Sequence, residues 1–209
     1  MTLTLRHSGL ALTIAAALAI GAAATMAAQN PPAAAGQRAG APAAPVAPAM
    51  RLTTTAFPDG TMIPARFTQE GEQTSPALVW TNAPAATASF VLHMHDPDVA
   101  RNKTTDDQLH WLVWNIPGTA TGLPEGVPTG ADRPDGSHQV SASGPVYRGP
   151  GAGAAGPVHH YTFEIYALDT KLEVAAAPDA FDTRTNVMKA MQGHILGKAV
   201  YVGLFHRSK

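Results

Sequence analysis

Residues 89–96 read SFVLHMHD, and the alternation of side chains along this stretch is the strongest structural signal in the chain. Successive side chains of a β-strand point to opposite faces of its sheet. One face would therefore carry Phe90, Leu92, Met94 and Asp96, and the other would carry Val91, His93 and His95. Asp96 follows three large apolar side chains toward the core, where a carboxylate is costly unless it is hydrogen-bonded or lines a cavity.

Two later stretches also read as strands, and their faces differ in polarity. In residues 109–117, LHWLVWNIP, both faces are largely apolar, which predicts a central strand covered on both sides. Alternation assigns its side chains to two faces, with His110, Leu112 and Trp114 on one and Trp111, Val113 and Asn115 on the other. In residues 159–168, HHYTFEIYAL, the apolar face carries His159, Tyr161, Phe163, Ile165 and Ala167, and the polar face carries His160, Thr162, Glu164 and Tyr166.

A single stretch after residue 51 has clear helical character. In residues 181–194, FDTRTNVMKAMQGH, we expect an N-cap at Asp182 or Thr183 and an end at Gly193. The apolar stripe of this helix would be Val187, Met188 and Met191. A strand of roughly residues 195–205 follows, and short apolar runs between turns make up the rest. The pattern predicts a mainly β domain with one late helix.

The first 50 residues predict a cleaved leader followed by a linker. Residues 1–28 contain Arg6, an apolar stretch and then small residues, which is the pattern of a secretory signal peptide cut between Ala24 and Ala28. An uncleaved anchor is the alternative, because the apolar stretch is near the lower limit of about 17 residues for a spanning helix. Residues 29–50 are almost entirely Ala, Pro and Gly, which predicts a disordered tether. The folded domain is predicted to span residues 51–209.

Composition narrows the location and the partners of this domain. The chain has 14 Lys and Arg against 15 Asp and Glu, so no charge excess points to nucleic acid or to an anionic membrane surface. It has no cysteine, which excludes disulfides and the thiol that bacterial lipoproteins need for lipidation. We therefore expect a soluble periplasmic or secreted protein.

Four segments together resemble the phosphatidylethanolamine-binding protein family, in its bacterial branch of Raf kinase inhibitor-like (YbhB/YbcL-type) proteins. The segments are SPALVWTNAPAATASFVLHMHDPD at 75–98, HWLVWNIP at 110–117 with LPEG at 123–126, YRGP at 147–150 followed by HHYTFEIYALD, and KAMQGHILGKAVYVGLF at 189–205. Their order and spacing extend the resemblance over about residues 51–209.

The resemblance implies a β-sandwich of two antiparallel sheets with Greek-key connections and the late C-terminal helix. It also implies a small pocket at one end that binds anions such as phosphate or phospholipid head groups. The ligand-binding residues that it carries over to this chain are Asp96, Pro97, Asp98, His110, Gly149, Pro150, His159 and Tyr161. Many relatives continue Asp-Pro-Asp with Ala-Pro, whereas this chain has Val99 and Ala100, which changes the pocket rim.

Two carboxylates in one pocket would repel a phosphate group. At about 4 Å and an effective dielectric constant near 20, two unit charges repel by roughly 4 kcal/mol, which is enough to abolish weak binding. We therefore expect a protonated His110 or His159 to pair with one aspartate. The other aspartate would accept backbone N–H bonds or hold a proton that it donates to the anion.

The same residues also fit plainer interpretations. Asp-Pro-Asp at 96–98 is good turn chemistry by itself, and His110 and His159 also fit satisfied core histidines. His93 and His95 have the spacing of a metal-binding pair on one strand face. They lie opposite the aspartate, however, and lack an obvious third ligand, so we expect no metal site and no cofactor.

These patterns favour binding without catalysis. The chain has no cysteine and no G-x-S-x-G nucleophile motif. The alternative is a metal-dependent hydrolase that uses His110, His159 and Asp96 as ligands. Because the resembled family also includes inhibitors of kinases and proteases, the resemblance further implies a protein partner, and a homodimer remains open.

Overall fold

The computed structural model describes residues 48–208, so the predicted leader and most of the predicted linker lie outside the described residues. The strands are β1 Arg51–Thr53, β2 Thr61–Met62, β3 Leu78–Thr81, β4 Ser89–Asp96, β5 Gln108–Pro117, β6 Gly122–Leu123, β7 His138–Val140, β8 His159–Leu168 and β9 Ile195–Phe205. The helix, α1, spans Ala180–Ala190. Within residues 48–208, no helix combines the length and the apolar character needed to cross a membrane.

The strands form two sheets, as the sequence predicted. A three-stranded sheet has the order β1-β3-β6, and a six-stranded sheet has the order β2-β9-β8-β4-β5-β7. The strand pairs are antiparallel except for the two-residue pairing of β2 with β9. Because β4 and β8 run antiparallel side by side, the end of β4 meets the start of β8. Asp96, the last residue of β4, and His159, the first residue of β8, lie next to each other at this point.

Alternation along β4 is confirmed by two separate cores. Phe90, Leu92 and Met94 belong to a core that joins the two sheets and also contains Leu78 and Trp80 of the small sheet. On the other face of the six-stranded sheet, a second core covers β4 and β5 and packs under α1, with Val91, Leu112, Trp114, Val187 and Met191. The centre of the six-stranded sheet, at β4 and β5, is therefore buried on both faces, and each face can carry its own polar cluster.

Helix α1 begins earlier than the sequence predicted. Its N-cap is Asp179, whose carboxylate accepts hydrogen bonds from the N–H groups of Phe181 and Asp182. The predicted cap at Asp182 or Thr183 is wrong, because the side chain of Asp179 satisfies the free N–H groups one turn earlier. Thr183 is buried inside the helix and its hydroxyl donates to the carbonyl of Asp179.

A bulge in β5 moves Asn115 away from its predicted face. Phe90 pairs with Ile116 and Leu92 pairs with Val113, so two residues of β5 oppose Val91 alone. Asn115 lies at the bulge with a φ of 58°, a left-handed conformation that Asn tolerates better than most residues. Its side-chain amide donates to the carbonyl of Leu172 and accepts from the N–H of Leu172.

We expect Asn115→Ala to lower the free energy of unfolding by about 2–4 kcal/mol. The substitution leaves the buried backbone N–H and C=O of Leu172 unpaired, at a cost of about 1–3 kcal/mol. In addition, Ala tolerates the left-handed conformation at position 115 less well than Asn, whose side chain can hydrogen-bond locally. Urea denaturation measures the change. Asn186→Ala on the exposed face of α1 is the matched control and should stay within about 0.5 kcal/mol of the parent. Equal effects at the two positions would contradict this account.

Candidate ligand-binding pocket

A cavity of about 180 Å³ lies where β4 ends and β8 begins. Asp96, His110, His159 and Tyr161, which the resemblance placed in a pocket, line it together. The remaining lining residues are Gln69, Val99, Gln108, Arg148, Gly151 and Ala152. We refer to this cavity as the pocket.

Asp96 is the buried anion of the pocket, with 2% of its surface exposed. One carboxylate oxygen accepts a hydrogen bond from His159 Nδ1 at 2.8 Å, and the other accepts from the N–H of Asp98 at 3.0 Å. The second bond, from the N–H of Asp98, is the side-chain-to-backbone bond of the turn that Asp-Pro-Asp favours. Asp96 therefore serves the turn and the pocket at once, so the two interpretations of this residue do not compete.

His110 reaches the pocket through a second bulge in β5. Met94 pairs with Trp111 and His95 pairs with Leu109, which leaves His110 without a partner in β4. The bulge turns the ring toward Tyr161, with the two rings perpendicular and their centroids 5.0 Å apart. Alternation had assigned His110 to the face of Leu112 and Trp114, and the bulge is the reason that this assignment was wrong.

Burial fixes the charge of His110. It lowers the pKa of the ring to about 4, so the ring is neutral at pH 7. Nδ1 lies 2.9 Å from the carbonyl oxygen of Arg148, which can only accept, so Nδ1 must donate. The other ring nitrogen then carries a lone pair. His110 therefore offers a hydrogen-bond acceptor, and the expectation that it could pair as a cation with an aspartate is wrong near neutral pH.

Tyr161 connects β8 to the segment that closes the pocket. Its hydroxyl oxygen accepts hydrogen bonds from the N–H groups of Gly151 and Ala152 at 3.1 and 3.0 Å. Burial, reinforced by the nearby carboxylate of Asp96, raises the pKa of Tyr161 to about 12. The phenol therefore keeps its proton and remains able to donate it within a hydrogen bond.

Gly149 and Pro150 stand behind the pocket wall and do not line it. Their carbonyl groups accept hydrogen bonds from the side chain and the backbone N–H of Gln69. A Cβ at Gly149 would lie 2.7 Å from the carbonyl oxygen of Phe67, so only glycine allows this close approach. Both residues position the lining segment that follows them.

Asp98 does not line the pocket, although its carboxylate lies within 4.8 Å of ligand atoms of Asp96 and His159. Its carboxylate accepts from the N–H of His160 at 2.6 Å and lies 3.0 Å from His160 Nδ1, on the polar side of β8. Partial burial by itself would raise the pKa of Asp98, but the hydrogen bonds from His160 outweigh it and lower the pKa. Pro97 lies in the turn between the two aspartates and is likewise outside the lining. The pocket therefore contains one carboxylate, where the sequence predicted two.

Arg148 is the lining residue that sequence reasoning missed and that matters most for charge. One end of its guanidinium donates to the hydroxyl of Ser143 at 2.7 Å. Its Nε is buried and has no hydrogen-bond partner among residues 48–208. Arg148 lies inside the quoted YRGP motif, so its position was visible in the sequence. Gln69 comes from a distant loop and gave no signal.

The metal-ligand set of the alternative hydrolase is not the one that the structure assembles. Asp96, Asp98 and His159 can each place one ligand atom within 4.8 Å of the others, and His110 does not belong to this group. Nδ1 of His110 faces a backbone carbonyl instead. The combination of His110, His159 and Asp96 is therefore not supported.

The lowered pKa of His110 makes stability depend on pH. The unfolded chain takes up this proton below about pH 6.5, whereas the folded ring resists it until about pH 4, so stability is lost as the pH falls through this window. The loss reaches roughly 3 kcal/mol for a difference of about 2.5 pKa units. We expect His110→Gln to lose less free energy of unfolding between pH 7 and pH 4 than the parent protein, in urea denaturation. The same loss in both proteins would contradict the burial argument.

Comparison with known proteins identifies the family of the chain. A sequence profile described as phosphatidylethanolamine-binding protein matches residues 53–206. A UPF0098 protein of Methanothermobacter thermautotrophicus is 42% identical over 160 residues, which cover 76% of this chain and 99% of that protein.

Two solved structures share the fold. The phosphatidylethanolamine-binding protein homolog CT736 of Chlamydia trachomatis has a TM-score of 0.63 at 29% identity, covering 77% of this chain and 99% of its own. E. coli YbcL, described as a member of the mammalian PEBP family, has a TM-score of 0.62 at 26% identity, covering 76% and 99%. The chain therefore belongs to the phosphatidylethanolamine-binding protein family.

Proposed function

We propose that this chain is an exported binding protein whose pocket holds a small anion, such as phosphate or the phosphorylated head group of a lipid. The observation that carries the proposal is Arg148, a residue of the pocket wall whose Nε is buried and has no hydrogen-bond partner among residues 48–208. A buried guanidinium nitrogen without a partner is costly, and phosphate oxygens are good partners for it.

The charge balance of the pocket supports an anion. Asp98 lies outside the lining and is held by His160, so Asp96 is the remaining carboxylate in the wall. Asp96 faces His159 at 2.8 Å, and Nδ1 of His159 must donate because a carboxylate oxygen only accepts. When His159 is protonated, its other ring nitrogen also donates. The pair is then neutral overall, and Arg148 supplies a positive charge to the wall. The nearby carboxylate of Asp98, within 4.8 Å of the pair, is hydrogen-bonded by His160.

Donors and acceptors in the pocket suit a phosphate that carries one proton. Arg148 and protonated His159 donate to phosphate oxygens, and the neutral ring of His110 accepts from a P–OH group. The volume of about 180 Å³ is well below the ~300–1,000 Å³ of pockets for drug-sized ligands. It fits a head group and leaves acyl chains outside.

The pocket wall lacks the hydroxyl, thiol and amine side chains that most often act as activated nucleophiles. Its ten lining residues include no Ser, Thr, Cys or Lys. Ser75, the serine before a proline, is buried and its oxygen accepts from the N–H of Val127. Binding without a chemical step is therefore the function that we propose.

Export and regulation form the cellular part of the proposal. The leader pattern of residues 1–28 and the absence of cysteine support a periplasmic or secreted protein. The pocket would then meet phosphorylated ligands or lipid head groups outside the cytoplasm. A regulatory protein partner remains part of the proposal, because the resembled family includes inhibitors of kinases and proteases.

Anion affinity should rise as the pH falls from about 8 to about 5.5, by up to tenfold per pH unit, because binding favours the protonated form of His159. NMR titrations with phosphate, phosphoethanolamine and sulfate, following the ring signals of His110 and His159, measure the affinities. Because sulfate does not change its protonation state in this pH range, any pH dependence of sulfate affinity must come from protonation of the protein. Arg148→Gln should weaken binding by roughly 10- to 100-fold at each pH.

His159→Gln should abolish the pH dependence of sulfate affinity. His194→Gln is the matched control, because His194 forms the same kind of pair with Asp169 at 2.8 Å but is exposed and outside the pocket. If the anion affinity of the parent protein stayed constant or fell as the pH was lowered, the proposed role of His159 as a donor to the anion would be contradicted. The absence of saturable binding of all three anions would contradict the proposed function itself.

A further inference from the structure

We propose that His93, His95 and Asp107 form a second site, for a divalent transition-metal ion such as Zn²⁺, on the face of the six-stranded sheet opposite the pocket. The inference goes beyond the proposed anion binding and does not depend on it. His93 and His95 were the motif that the pocket did not use, and the fold supplies the third ligand that the sequence lacked.

The three side chains meet at one edge of the second core. His93 and His95 lie on the same face of β4 with their rings stacked, at a centroid distance of 4.4 Å and an interplanar angle of 7°. Asp107 lies immediately before β5, and its carboxylate is 2.5 Å from His95 Nδ1. One ligand atom from each residue falls within 4.8 Å of the others.

Unsatisfied nitrogen atoms point to a missing ligand. His93 is 6% exposed, and the Nε2 atoms of His93 and His95 are buried without a hydrogen-bond partner in the part of the chain that the structure describes. A buried polar atom without a partner costs about 1–3 kcal/mol. Two such atoms in neighbouring rings, beside a carboxylate, make the arrangement that a bound cation would satisfy.

The surrounding carboxylates are held in place by other side chains. Arg184 donates to the carboxylate and to the carbonyl of Asp107. Glu164 of β8 pairs with His93 across the sheet, and one of its oxygens lies 3.7 Å from His93 Nδ1 and 3.8 Å from His95 Nε2. Lys198 and Tyr166 donate to Glu164. Such outer partners orient metal ligands, and Glu164 is placed to serve as a fourth one.

The ion-pair network alone does not explain the cluster. The charges of Asp107 and Glu164 are balanced by Arg184 and Lys198, and these bonds satisfy the carboxylates. They leave the Nε2 atoms of His93 and His95 without a hydrogen-bond partner among residues 48–208. A purely structural network would have been expected to give those nitrogens acceptors or donors as well.

The donor set selects the kind of metal. Two imidazoles and one or two carboxylates, with no sulfur, suit Zn²⁺ and Cu²⁺ better than Ca²⁺ or Mg²⁺. Zinc bonds of about 2.0–2.1 Å require ligand atoms roughly 3.3 Å apart. The two rings are stacked in parallel, so they must rotate until their in-plane lone pairs converge on the ion. The ligand atoms, which now lie within 4.8 Å of one another, then reach that separation. A hollow of about 610 Å³, lined by His93, Asp107 and Arg184 among others, gives the ion a path from solvent.

Calorimetric titration of Zn²⁺ into the metal-stripped full chain, without an oligohistidine tag and in phosphate-free buffer, tests the site. We expect one equivalent to bind, and His93→Gln and His95→Gln each to weaken binding at least tenfold. His194→Gln is the matched control, because His194 also pairs with an aspartate, at 2.8 Å from Asp169, but lies outside both histidine–carboxylate groups, and it should leave zinc affinity unchanged. In the unmodified protein, zinc should shift the NMR ring signals of His93 and His95, which keeps the test valid if a variant folds poorly.

Two results would overturn the inference. The first is the absence of saturable zinc binding by the unmodified protein. The second is zinc binding that shifts His159 while the signals of His93 and His95 stay in place. Phosphate and sulfate affinities measured on the same preparations report on the pocket separately, so failure of this inference and failure of the proposed function are distinguishable.

Discussion

The buried carboxylate of Asp96 is the constraint on which the pocket depends. It stands at the end of an apolar strand face with 2% of its surface exposed, a position that is tolerated only when both oxygens are bonded. One oxygen holds the turn at Asp98 and the other holds the ring of His159. The same carboxylate thus ends β4, fixes the start of β8 and sets the charge of the pocket.

The six-stranded sheet separates two polar clusters because its central strands, β4 and β5, are buried on both faces. Alternation in β4 sends Asp96 to one face and His93 and His95 to the other. The bulge in β5 then adds His110 to the pocket side, while the β4–β8 pairing brings Glu164 to the side of the two histidines. One strand, SFVLHMHD, therefore supplies a proposed anion pocket and a proposed metal site without contact between them.

Alternation alone predicted the faces of β4 and β8 and a mainly β domain, whereas the sandwich of two sheets came from the family resemblance. It failed at His110 and Asn115, because a bulge places one extra residue in the strand and reverses the side of the next. The resemblance placed Asp98 in the pocket, but its carboxylate instead accepts a hydrogen bond from the backbone N–H of His160. Local pattern also could not find Gln69 or the pairing of Asp107 with His95, since these contacts depend on how distant segments meet.

The most direct test of this account is a double-mutant cycle on Asp96 and His159, read as sulfate affinity at about pH 6. If Asp96 acts on the anion through His159, Asp96→Asn weakens binding in the parent protein. In the His159→Gln background, Asp96→Asn leaves sulfate binding unchanged or strengthens it. Without His159, the remaining effect of Asp96 on the anion is charge repulsion, and Asp96→Asn removes that repulsion. Equal weakening in both backgrounds would contradict the claim that this pair organises the pocket.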